Sequence, residues 1–504
     1  MKKLYRFSAI ALLVLPLVFT SCSDYLDRDD DDNITEADVF ARYEKVNGLV
    51  SDVYAAAKKA DRPLVFFEHF SNSAITDECE GTNVEGNITN NFNNGAWNPN
   101  SLPGSVGQYW EALYEGIRKA NLIIENVQKY NTPDNPQQDG DLRNRIGEMY
   151  FMRGYFHMLL LRMYGEAPYI DRVINAGDNM DFKKESVHSM VEKIVTDAQT
   201  AYGMVPNKYV KTSENFGRVD KGACLGLISF VRWVAATPLW NGASQYGYNL
   251  RRVFENEYAY DATRWRKAKE AAKAVLDFEV GGTKRYSLYT KHDANDFKDP
   301  ADGNLNDSRV YARLWDMFYD MDAFANEYVF FMTKSKDQAW QGDIYPPSRE
   351  GSSRQQPVQE QVDEYEYIVG DYGYPVYSAE ARKGGYDDTN PYMKGTRDPR
   401  FYRDVIYHGA PYRNNKNESK TINTASGSDK IGATNATTTG YYLRKFQQES
   451  WNKSGNFSIN APAIWRLPEF IYIYAEACNE LGEDIDEAYK LVNTVRERSF
   501  MKPM

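Results

Sequence analysis

The sequence has 504 residues, is 42% hydrophobic and 14% aromatic with 38 tyrosines, and carries a formal charge of −11 at neutral pH. That much apolar material can build a large core, and an acidic chain with no concentrated basic face excludes nucleic acid as a natural partner. Such a wealth of tyrosine suits a protein that meets polar ligands through flat rings with wet hydroxyls, although the core is the ordinary place for any single ring.

The chain opens MKKLYRFSAIALLVLPLVFTSC, with a basic start, an apolar run from Ala9 to Phe19, and then Ser21 and Cys22. The run is short and broken by Pro16, which fits an export signal better than a permanent membrane span. Small residues before a cysteine resemble the bacterial lipobox, with residues 1–21 removed and Cys22 acylated, although Phe19 departs from the usual Leu or Val. An ordinary cleaved secretory signal is the alternative. Loss of Lys2, Lys3 and Arg6 with that segment takes the charge to −14. Several acyl chains suffice to hold a soluble body on a membrane. Residues 22–34 read as an acidic tether, SDYLDRDDDD being similar to a surface-export tag. Cys79, Cys224 and Cys478 are isolated and form no CxxC pair, so neither metal nor redox chemistry is indicated.

A helix is predicted from about 35 to 59, with Val39, Phe40, Tyr43, Val46, Val50, Val53 and Tyr54 on one face and Thr35 placed as its cap. Residues 61–106, rich in Asn, Gly, Ser and Pro, form an elaborated loop. Helix resumes over 107–130 along Trp110, Leu113, Tyr114, Ile117, Ile124 and Val127, and 131–140 is a turn. From Asp141, apolar residues recur at Ile146, Met149, Tyr150, Phe156, Leu160 and Met163, with Phe151, Tyr155, Leu159 and Leu161 on the flanks. A helix apolar on so many sides must be covered by other helices, and Gly165 followed by Pro168 stops it. Further helices are predicted over 186–203, 219–238, 263–278, 464–481 and 485–499, the 219–238 segment carrying the small residues Gly222, Ala223, Gly226 and Ala235.

Together these make four antiparallel pairs that stack like tetratricopeptide repeats, without a strict repeat period. Residues 279–462 form an irregular, loop-rich cap, with a β-like run at Glu327–Met332 and a nearly low-complexity stretch from Asn414 to Gly440. The expectation is a mainly α protein, a single domain over 35–504, with TPR-like helices at about 35–278 and 464–499 and the cap at about 279–462.

Several separated phrases carry a resemblance, in order: the lipobox; WEALYEGIRKANLIIENV at 110–127; the arginine–glycine–aromatic helix with its YGEAP exit; GRVDKGACLGLISFVRWVAATPLWNG at 217–242; WRKAKEAAKAVL at 265–276; PVQEQVDEYE at 357–366; RDPRFYRDVIYHG at 397–409; GYYLRKF at 440–446; IWRLPEFIYIYAEACNELG at 464–482; and VNTVRERS at 492–499. This series resembles the SusD/RagB family of outer-membrane glycan-binding lipoproteins and spans nearly the whole chain. The resemblance implies a SusD-like α/α superhelix, a surface-exposed protein anchored in the cell outer membrane, an oligosaccharide ligand, and a SusC-like TonB-dependent transporter as partner. The family pattern continues past the VRERS helix into a closing helical segment, so the resemblance implies that the sequence to Met504 is either a truncated product or a chain without that element. Losing several buried side chains at about 1.5–3 kcal/mol each would lower stability or call for a partner in that place.

No GxxxxGK[ST], GxSxG or HExxH motif is present, and His157, within the apolar helix, reads as a satisfied core histidine. No catalysis is expected and no cofactor is called for, although 71 acids supply carboxylate pairs by accident. Asp302, Asn304 and Asn306 alternate oxygen ligands of the kind calcium takes, but the central glycine and the final glutamate of a calcium loop are missing. Carbohydrate is the better ligand: rings cover its C–H faces, and amides, acids and guanidines bond its hydroxyls. The candidates are Trp97 and Asn98 in NNGAWNPN and Trp315, Trp340 and Tyr345 in the cap, where the resemblance places a ligand-facing arc. Trp110, Trp233, Trp240, Trp265 and Trp465 read as structural. A peptide- or protein-binding scaffold, a lid on the transporter with non-glycan cargo, is the alternative.

Overall fold

The computed structural model describes residues 35–40, 42–60, 70–82, 88–98, 100–130, 136–209, 214–243, 253–291, 313–314, 316–332, 342–392, 395–413, 419–447 and 463–504. Eight long helices organise them: α1 (Tyr43–Ala60), α2 (Gly104–Tyr130), α3 (Pro136–Tyr164), α4 (Val187–Met204), α5 (Lys221–Ala236), α6 (Ala262–Leu276), α7 (Leu467–Leu481) and α8 (Ile485–Arg498). Each packs on the next, including α6 on α7, which the long cap insertion separates in sequence. The expected four pairs are therefore present and form one continuous array.

The ends follow local chemistry. A short helix, Glu36–Phe40, precedes α1; the Asp38 N–H donates to the Thr35 hydroxyl at 3.2 Å and the Thr35 N–H donates back to the Asp38 carboxylate at 3.0 Å, a reciprocal cap. The α3 helix begins at Pro136, earlier than expected, because proline is tolerated at a first helical position where its missing N–H has no intrahelical partner. Ser186 and Asp220 cap α4 and α5 by accepting the Ser189 and Ala223 N–H groups. The α7 segment starts later than expected: residues 463–466 are extended, and Pro468 within the first turn fixes where the helix can begin.

The core is dominated by α3. Phe151, Met152, Tyr155, Phe156, Met158 and Leu160 are fully buried in one cluster with residues of every other long helix except α6's Trp265 face, which packs with Ala236, Ala268 and Ala477. His157 is buried here as expected. Its Nδ1 lies 2.8 Å from the Arg153 carbonyl, its Nε2 accepts the Ile170 N–H at 3.0 Å, and Tyr169 stacks on the ring at 3.7 Å. Polar bridges cross the array: Arg153 on α3 holds Asp197 on α4 at 2.5 Å and donates to Asn121 on α2 at 2.9 Å. Cys79, Cys224 and Cys478 are free and buried. Among the described residues no helix is long and apolar enough to cross a membrane.

The cap is irregular, as expected, and is held by short antiparallel pairs that join distant parts of the chain. Strands β1 (Ile75–Thr76), β2 (Cys79–Gly81) and β4 (Gln355–Pro357) form a three-stranded sheet in the order β1-β2-β4. Strand β3 (Tyr328–Phe331), the run expected from sequence, pairs with β7 (Ala463–Arg466), and β5 (Val405–Ile406) pairs with β6 (Tyr442–Leu443).

Candidate binding cavity

Trp97 lies half-buried beyond the short helix Ile88–Asn93, edge-on to Phe92 at 5.0 Å, and packs on Phe70, Ala74 and Ile88. Asn98 beside it is exposed, its amide donating to the Ala96 carbonyl at 3.3 Å and its side-chain oxygen accepting the Asn100 N–H at 3.0 Å. Ring and amide thus sit together on one turn. Trp315, Trp340 and the Asp302, Asn304 and Asn306 run fall outside the described residues.

Tyr345 corrects the sequence reading. It is 0% exposed, clustered with Ile406, Ala410, Tyr412, Ile422 and Tyr442, with the Arg349 guanidinium 5.0 Å from its ring centroid. A ring sealed beneath an arginine cannot present a face to a ligand, so Tyr345 belongs to the cap's core.

The segment that supports Trp97 also supplies Ser71 and Ser73 to a cavity of about 390 Å³ in the seam between array and cap. A second chamber of about 330 Å³ adjoins it, sharing Gln361, Tyr365, Asp404, Lys445, Arg466 and Pro468 as common wall. The first chamber lies among β2, β4, β5, β6, β7 and the start of α7; Phe318, Phe446, Leu443 and Ile464 give it apolar walls. Size and lining are those of a site for a small polar molecule.

Fixed ion pairs form its floor. Asp404 is gripped by Arg403 and accepts the Tyr365 hydroxyl at 2.9 Å; burial would raise its carboxyl, but Arg403, Lys445 and Tyr365 outweigh that and hold it below the usual range. Arg466 reaches Glu327 at 2.9 Å, and Glu327, fully buried, also takes Arg498 from α8 at 3.0 Å and the Tyr289 N–H at 2.6 Å. Against this floor, the side chains of Gln361, Lys445 and Glu469 make no hydrogen bond or ion pair among the described residues. Burial holds the Lys445 ammonium below the usual lysine range against the pull of Asp404, and raises the Glu469 carboxyl to about 7 against the pull of Arg162 and Arg466. Three polar groups, idle and turned into one seam, can hydrogen-bond an arriving ligand without giving up a partner. Sequence reasoning missed all three, although each lies in a phrase of the family pattern: Gln361 in PVQEQVDEYE, Lys445 in GYYLRKF and Glu469 in IWRLPEF. Among the described residues no cluster of His, Cys, Asp and Glu could hold a metal ion.

Stacked helix pairs under a loop-rich cap, with a part-open polar cavity in the seam, define a ligand-binding protein of the helical-repeat class. Two family models match the chain: one described as the SusD family over residues 314–504, the other as starch-binding and associating with the outer membrane over residues 24–231. The chain belongs to the SusD/RagB family. SusD-like protein P2 of Formosa agariphila is 24% identical over 202 residues, a match that covers 39% of this chain and spans 38% of that relative's length. A SusD-like protein from Bacteroides fragilis superposes with a TM-score of 0.68 at 19% identity, covering 94% of this chain and 81% of the other. A SusD-like carbohydrate-binding protein of the same organism gives 0.68 at 15% identity, covering 92% and 80%. At these identities the two structures establish the fold alone.

Proposed function

We propose that this chain is a surface-exposed lipoprotein, anchored through Cys22 after removal of residues 1–21, that binds oligosaccharides and passes them uncut to a SusC-like TonB-dependent transporter. Residues 22–34 are the tether and 35–504 the binding body. The observation that carries the reading is the preformed seam cavity, whose aromatic and apolar walls surround polar side chains with no partner of their own. Family membership and the outer-membrane description of the matching model support it. Trp97 and Asn98 offer a ring and an amide close to the segment that lines the cavity, and Trp315 and Trp340 are proposed as further ring faces.

Isothermal titration against a panel of plant, algal and host oligosaccharides tests this. Binding to at least one glycan is expected, and Trp97→Ala should weaken it by about 1 kcal/mol, several-fold in Kd, while leaving the melting temperature within a few degrees. Binding of peptides but of no glycan would overturn the reading in favour of a protein-binding scaffold.

A further inference from the structure

We infer that the seam cavity receives the anionic group of an acidic sugar, a uronate carboxylate or a sulfate ester, on the Lys445 ammonium, with Gln361 and Glu469 bonding neighbouring hydroxyls. The inference deepens the proposed function and rests on it, narrowing the ligand from glycans to anionic glycans.

The argument is one of charge bookkeeping around a single cation. Five basic side chains line the two chambers, and four are committed: Arg466 and Arg498 to Glu327 at 2.9 and 3.0 Å, Arg403 to Asp404, and Arg400 to Asp398 at 2.5 Å. Among the described residues Lys445 alone of the five has no carboxylate oxygen within 4 Å, and its Nζ lies 5.2 Å from the Phe446 ring centroid. Asp404 cannot serve it well, because Arg403 and the Tyr365 hydroxyl already occupy that carboxylate. A partly desolvated ammonium without a counterion is costly in the empty protein, and that cost is relieved by an arriving oxyanion but not by a neutral hydroxyl.

The acids of the lining do not cancel this. Glu78 is occupied by the Ser73 hydroxyl at 2.6 Å, Asp398 and Asp404 are held by Arg400 and Arg403, Glu364 of the second chamber is exposed to solvent, and Glu469, with its carboxyl raised to about 7, is protonated at mildly acidic pH and can then donate to a ligand oxygen. Phe318, Phe446 and Pro468 supply apolar surface for the C–H face of the same sugar.

The test is titration calorimetry of the protein and its Lys445→Gln variant with trigalacturonate, a 6-sulfated galactobiose and neutral galactotriose. At least one acidic probe should bind tenfold or more tighter than the neutral one, and K445Q should remove that advantage by weakening acidic binding far more than neutral binding. Which acidic probe responds separates carboxylate from sulfate. Added salt should weaken acidic binding in the parent protein and much less in the variant. A structural lysine would lower the melting temperature when replaced, whereas loss of an unpaired buried ammonium should leave it equal or higher. Neutral and acidic probes binding alike, or K445Q leaving acidic affinity intact, overturns the inference with the glycan-binding function standing. No binding of any probe, with none across the wider glycan panel, overturns both.

Discussion

His157 shows how a polar residue is made safe inside an apolar helix. One ring nitrogen donates to the Arg153 carbonyl and the other accepts the Ile170 N–H; the second bond requires the neutral ring, which burial favours by lowering its pKa from 6.5 to about 3 against the pull of the Arg153 carbonyl. Because the folded-state value lies below the unfolded one, this contribution is whole above about pH 6.5 and is lost as pH falls toward 3. Urea unfolding from pH 7 to 4 should therefore show a fall in stability that is shallower in His157→Gln. His157→Ala should cost about 3 kcal/mol at pH 7, through the cavity and the orphaned Ile170 N–H. The role of His157 was legible because its neighbours in sequence are Tyr155, Phe156, Met158 and Leu159, so that burial and neutrality follow together. Tyr345 was misread for the complementary reason. DIYPPSRE looks like a polar loop, and only the fold reveals that Arg349 in that loop turns back over the ring.

At the scale of elements, the helices approach one another where glycine leaves room. A Cβ on Gly116 of α2 would stand 2.5 Å from the buried Phe156 ring of α3, and one on Gly226 of α5 would meet Val329 of β3 at 2.9 Å. Gly116→Ala should destabilise by about 1–3 kcal/mol, since a ring packed on all sides cannot yield. Gly48→Ala is the opposite case: the residue is exposed on α1 with nothing within 4 Å, so it should stabilise by about 0.5–1 kcal/mol. Thermal melts of the two variants, run side by side, check both signs. The eight helices were readable because their apolar spacing is local. The sheets of the cap were not, because β2 and β4 share a register yet lie far apart in sequence. The cavity inherits that illegibility: Gln361, Lys445 and Glu469 are unremarkable polar residues until a short helix, the turn after β6 and the start of α7 bring them to one seam.

For the molecule as a whole, Glu327 is the knot between array and cap. It joins α8 through Arg498, β7 through Arg466 and the beginning of the cap through the Tyr289 N–H, all from a fully buried carboxylate. Glu327→Ala would leave two guanidinium groups unpaired and should cost about 3–5 kcal/mol, read as a lowered urea midpoint. Because Arg466 is also the cavity floor, ligand affinity should fall in the same variant. The three body cysteines carry a different implication. Burial lifts the Cys79 thiol to about 12 and pushes Cys224 and Cys478 upward as well, so none is poised to react with an alkylating reagent in the native state. With Cys22 acylated or replaced, the surface is chemically silent toward maleimides. A single cysteine engineered at Asn98 could then carry a fluorophore beside Trp97, whose quenching would report cargo arriving and leaving in real time.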